Sequence, residues 1–184
     1  MKRAGFAAVA ALILSSCGYN RIQSLDEQVN GFESQIKVQL QRRADLVPNL
    51  VATVKGFAEQ EQAIFDAVTS ARARLGGAVD GGSLAEMAAA NQTLTTALGR
   101  LIAIAEDNPE IQSNENFRML QDQLEGTENR ISTARQDYNA AVQSYNSYIR
   151  RFPQVLTAKI VGAKAREYFE VTDEAATAVP QVEF

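Results

Sequence analysis

The chain has 184 residues, 46% of them apolar, and a net charge of −4, with a pI near 5.0. That suffices for one domain with a real core plus short extras, and the acidic balance argues against nucleic acid as the main partner, because phosphate-binding surfaces are strongly basic. The absence of histidine removes the commonest metal ligand and the commonest general base, and the single cysteine cannot form an internal disulfide.

Lys2 and Arg3 precede an apolar run of eleven residues, AGFAAVAALIL at 4–14. This is too short to span a bilayer, which needs about 20 residues, and has the length of a signal-peptide core. It ends in Leu14-Ser15-Ser16-Cys17. The only cysteine falls where the bacterial lipobox, which this stretch resembles, requires it; the bland alternative is an ordinary signal peptide with a chance cysteine. The resemblance implies cleavage before Cys17, a diacylglycerol on its sulfur and an acyl chain on its new amine. Two or more chains anchor a protein stably where one does not. Loss of Lys2 and Arg3 takes the net charge from −4 to −6. Gly18 rather than aspartate follows the cysteine, which by analogy with enteric lipoprotein sorting favours the outer membrane over the inner. A linker is expected at 17–21.

From Ile22 the apolar positions Ile22, Leu25, Val29, Phe32 and Ile36 follow a heptad seam and predict helix. The same register then meets Gln39 and Arg43, and apolar residues resume one position out of phase at Val47, Leu50, Val54 and Phe57, then Ile64, Val68, Ala71 and Leu75. A slip of this kind predicts a corner. Asp45 suits an N-cap, Pro48 the first turn of a new helix, and Arg42 with Arg43 the end of the preceding one. The rival is a single helix of ~80 Å kinked at Pro48.

Residues 76–82, GGAVDGG, predict a flexible loop. Ser83 and Glu86 predict a capping box for a third helix on Leu84, Met87, Asn91, Leu94, Leu98, Leu101 and Ala105. Asn108-Pro109 predicts a turn. A fourth helix keeps one register from Phe117 through Tyr138 and Tyr145 to Phe152 and stops at Pro153. A short fifth is expected from Leu156 to Glu170, with Gly162 in its middle at about 1 kcal/mol against alanine. The residues 171–184 are polar and acidic and predict a flexible tail. The expected fold is an all-α, antiparallel up-and-down four-helix bundle at 22–152, with a C-terminal helical segment at 153–170.

The run QIKVQLQRRADLVPNLVATVKGF at 35–57 resembles the signature of the LemA family. So do Tyr145-Asn146, Phe152-Pro153, Ala158, Gly162 and Tyr168-Phe169-Glu170, and the likeness spans Tyr19 to Glu170. It implies an up-and-down four-helix bundle and a membrane-anchored protein. Family members usually begin with a transmembrane helix, for which this chain substitutes its lipobox. They usually carry tryptophan where this chain has Glu33, and an aromatic after the late glycine where it has Ala163, so any docking surface built on those aromatics is weakened. The family has no agreed biochemical activity, so the resemblance implies fold and placement without a mechanism.

The chemistry-bearing residues are few. Glu59 and Glu61 are two apart and point different ways on a helix. Gln39, Arg43, Glu61, Asn91 and Thr127 interrupt the seams; they either line an internal polar pocket or fix register. Arg42, Arg43 and Asp45 form either an anion or partner site beside a helix N-terminus or a set of caps. Tyr138 and Tyr145 either line a groove or pack the core with their hydroxyls at its wet edge. The expected protein is no enzyme, has no metal and no cofactor beyond the lipid on Cys17, and faces the periplasm. It binds a partner protein of the cell envelope; the alternative is a small-molecule or lipid-binding bundle.

Overall fold

A computed structural model describes the backbone of residues 2–58 and 60–170, and side chains from residue 18 onward within those limits. The described residues hold six helices and no strand: α1 (Lys2–Lys55), α2 (Gln62–Gly81), α3 (Leu84–Glu106), α4 (Pro109–Gln112), α5 (Glu115–Arg150) and α6 (Gln154–Ile160). The fold is all-α, with four long helices and a short sixth near the end, as expected. Glu59 and the tail 171–184 lie outside the described residues.

The corner expected at Asp45 does not exist. α1 runs through Asp45 and Pro48 to Lys55, and the connection falls at 56–61 instead. The phase slip has a different cause. A straight α-helix has 3.6 residues per turn, so a strict heptad seam drifts around it, and one step of four in place of three corrects the drift. Leu40 supplies that step, and the buried set Ile36, Leu40, Arg43, Val47, Leu50 and Val54 is unbroken. Proline still removes the hydrogen bond that residue 48 owes to the carbonyl of Ala44. The guanidinium of Arg72, on α2, takes that place, its Nε donating to the Ala44 oxygen at 2.9 Å.

The chain divides into two units. Unit 2 comprises Lys37–Ile131 with Phe169–Phe184. Segments of α1 and α5 join α2, α3 and α4 there in a four-helix bundle. Its buried face includes Phe65, Val68, Ala71 and Leu75 from α2 and Met87, Leu94, Leu98 and Leu101 from α3. The loop expected at 76–82 is instead the last turns of α2, which continues to Gly81, past Leu75, the last of its buried residues. An established helix gains one hydrogen bond for each residue it adds, which offsets the poor propensity of Gly76 and Gly77. Reversal is left to Gly82 and Ser83. Gly82 is required: a Cβ there would stand 2.7 Å from the Ala78 oxygen. The capping box forms as expected, Ser83 accepting from the Glu86 amide and Glu86 from the Ser83 amide. Asn108 caps α4, accepting from the Glu110 amide at 3.0 Å.

Unit 1 comprises Met1–Ile36 with Ser132–Tyr168. Ile22, Leu25 and Val29 of α1, Tyr138, Val142, Tyr145 and Ile149 of α5 and Ala158 of α6 are buried. The seam of α5 moves one place late in the helix, so Ile149 is inside and Phe152, expected on the seam, is exposed. The helix expected over Leu156–Glu170 is only α6. Gly162 ends it rather than sitting inside it, at φ +70°. The Ala163 amide returns to the Ala158 carbonyl at 2.9 Å and the Gly162 amide to Lys159 at 3.4 Å. This is a Schellman closure, which needs a left-handed residue that glycine adopts without strain. Residues 163–168 then run without regular structure.

The role given to Arg72 is testable. Arg72→Ala strands the buried Ala44 carbonyl and is expected to destabilise by about 1–3 kcal/mol. Pro48→Ala restores an N–H to that carbonyl, so in its background the loss should nearly vanish. Equal losses in both backgrounds, read from urea denaturation as a double-mutant cycle, would remove Arg72 from this role.

Candidate functional site

The structure separates Arg42, Arg43 and Asp45. Consecutive helical residues point about 100° apart, so the three cannot converge, and no helix begins beside them. Asp45 lies on the surface and accepts from the Gln41 amide at 2.8 Å. Arg42 is exposed. Arg43 turns inward and is only 5% exposed. The side chain of Cys17 lies outside the described residues.

Arg43 organises the polar interior of unit 2. Its Nη1 donates to Asn91 Oδ1 on α3 at 2.9 Å and to Glu128 Oε2 on α5, with which it forms an ion pair. Burial pulls the guanidinium below its ordinary pKa, opposed by the charge and hydrogen bond of Glu128. Its Nε and Gln39 Oε1, one turn back on α1, are a buried donor and a buried acceptor without hydrogen-bond partners. Thr127 turns its hydroxyl to the Leu124 carbonyl at 2.7 Å. Glu61 precedes α2 as its N-cap residue, with no capping hydrogen bond from its side chain. Arg43 and Asn91 thus bond to one another across the bundle, which fixes the register of α1 against α3 and α5.

Arg42 instead borders an open groove of about 580 Å³. The other wall is α5, with Arg118, Arg130, Glu115, Asp122 and Met119. Gly126 leaves its floor open. Three cations and two carboxylates alternate around an exposed methionine, a mixture suited to charge-patterned protein surface.

Unit 1 has a second polar centre. Asn146 pairs with the backbone of Arg166 as another peptide would, its Nδ2 donating to the Arg166 carbonyl and its Oδ1 accepting from the Arg166 amide, both at 2.8 Å. The Arg166 side chain reaches α1, donating to Asp26 Oδ1 at 2.9 Å and Asn30 Oδ1 at 2.8 Å. Tyr138 donates to the Glu167 carbonyl at 3.0 Å. One residue therefore ties the C-terminal segment to α5 by backbone and to α1 by side chain. Tyr138 and Tyr145 are buried, as a core role requires. Burial, with the Glu33 carboxylate, pushes the Tyr138 phenol up to about 12 against the lowering effect of Arg166. Burial also raises Tyr145.

Sequence reasoning missed Glu128, Asp26, Asn30 and Arg72 as partners. Each sits on a helix surface among similar residues, and only the packing of helices distant in sequence brings it to an arginine. Asn146 was visible as part of a motif, without its partner.

Comparison with known proteins gives a consistent picture. The model of the LemA family matches residues 32–184. Two proteins of Paramagnetospirillum magneticum, magnetosome protein MamQ 1 and magnetosome protein MamQ 2, are each 31% identical over 188 aligned residues, covering 89% of this chain and 68% of their own length. Magnetosome protein MamQ of Magnetospirillum gryphiswaldense is 30% identical over 174 residues, covering 82% of this chain and 64% of its own.

Glu128→Ala leaves the Arg43 charge buried and unpaired. The expected loss is about 1–3 kcal/mol, short of the full cost of breaking a buried pair because Glu128 is partly in water. Arg43→Met, which removes the charge and keeps much of the volume, should cost less. The reverse order in urea denaturation would deny that the pair is coupled. For Tyr138 the folded pKa of about 12 lies above the unfolded value of about 10. Its contribution is fully present below pH about 10 and is lost as pH rises towards about 12. Denaturation midpoints across that window should fall, and Tyr138→Phe should flatten the fall.

Proposed function

The chain belongs to the LemA family, and from that membership we propose a non-enzymatic, lipid-anchored bundle that docks a partner protein of the bacterial cell envelope. The anchor is the lipobox cysteine, Cys17, acylated after cleavage and holding the protein to a membrane with its bulk in the periplasm. Gly18 in place of aspartate favours the outer membrane. Among the described residues no helix is long and apolar enough to cross a membrane. The relatives are magnetosome proteins by name, and their particular task is not carried to this chain.

The observation that carries the docking role is the groove beside Arg42. It is open, charged in both signs and lined by Arg118, Asp122 and Arg130 with Met119 between them. A rim of that kind discriminates partners through charge patterning. The small-molecule alternative would draw on the interior seam polars. There Arg43 Nη1 already bonds Asn91 and Glu128, while its Nε and Gln39 Oε1 have no hydrogen-bond partner, and a bound molecule would have to meet those two atoms.

Photo-crosslinking in living cells tests it. A photoreactive residue at Gln123, on the groove, should give one discrete adduct that disappears with Arg42→Ala in a chain that still folds. The same residue at Gln92, exposed on α3, serves as the control. Adducts at Gln123 no different from those at Gln92 would discard the groove. Separately, metabolic labelling with an alkyne fatty acid should mark the chain and fail to mark Cys17→Ala; label retained by that variant would discard the anchor.

A further inference from the structure

A surface feature distinct from the groove lies on the segment 150–166. Among the described residues the most exposed large apolar side chains are Ile160, at 83%, and Phe152, at 81%. Leu156, at 54%, lies midway between them. Residues four apart share a helix face, so Leu156 and Ile160 form one stripe on α6, while Phe152 is exposed in the turn that leads into the helix. Ala158, on the opposite side of α6, is buried. Val161 extends the exposed stripe.

Two further observations say what covers this face. The first is position. A Cβ on Gly18 would stand 3.3 Å from Thr157 Oγ1, so α6 packs on α1 one residue from Cys17. A helix packed at 8–10 Å, roughly, from the point of lipid attachment lies within reach of the bilayer surface. The second is charge. From Arg150 to Arg166 the sequence holds Arg150, Arg151, Lys159, Lys164 and Arg166 and no carboxylate, in a chain of net charge −4. Arg166 is engaged with Asp26. The other four are exposed. An exposed apolar stripe flanked by cations is the pattern of a helix that lies in an anionic bilayer interface.

We infer that α6, with Phe152, Leu156 and Ile160 directed into the headgroup layer, is a second membrane contact beside the lipid anchor, its occupant the anionic leaflet itself. It sets the orientation in which the rest of unit 1 meets the membrane, since a single point of attachment leaves rotation free and two do not. The inference rests on the reading of Cys17 as the anchor, and the experiment reads the two separately.

The full chain, lipidated and purified, is reconstituted into vesicles of phosphatidylethanolamine and phosphatidylglycerol. The diacylglyceryl thioether occupies the sole native thiol, so Ile160→Cys or Leu156→Cys introduces one site for an environment-sensitive fluorophore. Val38→Cys, at an exposed position of α1 in unit 2, is the control. The expected result is blue-shifted emission at 156 and 160, lost to a nitroxide carried near the headgroup end of the acyl chains and less so to one at the chain terminus, because insertion of this kind reaches only about 5–10 Å. The control should be unaffected, and replacing phosphatidylglycerol with phosphatidylcholine should weaken the quenching. Water-like emission at both sites overturns the inference. So does a blue shift that neither nitroxide quenches, which would mean contact between protein chains. The intact mass of the same sample reports the lipid on Cys17: a chain lacking it removes the anchor reading, while quenching at 156 and 160 still decides whether α6 meets the bilayer.

Discussion

The architecture depends on one hydrogen bond, from Arg72 Nε to the carbonyl of Ala44. Proline in a helix interior costs about 3 kcal/mol, partly in a lost backbone bond and partly in crowding against that same carbonyl. With the carbonyl buried and unsatisfied, α1 would be driven to end before Pro48, as its local chemistry suggests. A donor from α2 removes one of those two penalties. α1 can then continue to Lys55, and a single helix supplies buried side chains to both units. The same contact ties α2 to α1, so the exception in the backbone also serves as a tertiary link.

Much of this was legible in the sequence, and each failure has a physical cause. The helical class, the capping box at Ser83 and Glu86, the turn at Asn108-Pro109 and the inward tyrosines follow from short-range rules in which all the partners lie within one or two turns. The corner at Asp45 was misplaced because those rules weigh Pro48 and a capping acid without the guanidinium 24 residues downstream of the proline. The loop expected over 76–82 fails on elongation: a helix already formed adds one hydrogen bond per residue, which offsets the propensity cost of two glycines. Propensity alone makes Gly162 a weakness inside a helix, whereas its positive φ makes it the residue that ends one.

The candidate site fared likewise. A basic pair beside an acid reads as one cluster along the chain, but the helix distributes it around a cylinder. Arg43 goes to the interior and orders the register of unit 2. Arg42 goes to the groove where charge is exposed to whatever approaches. The two arginines are therefore chemically alike and physically opposite. One is a desolvated cation held by Asn91 and Glu128, for which substitution acts on folding. The other is a solvated cation on an open wall, for which substitution acts on recognition.

The clamp at Arg166 has an implication for how this part of the molecule can vary. Irregular segments ordinarily absorb insertions and deletions. Here the backbone of residue 166 is read by Asn146, its side chain by Asp26 and Asn30, and the following carbonyl by Tyr138, while Gly162 fixes where α6 lets go. The stretch between is a spacer of set length. Adding or removing one residue would slide all of these contacts out of phase together, so the segment behaves as a ruler: free to change its letters between Gly162 and Arg166, but not their number.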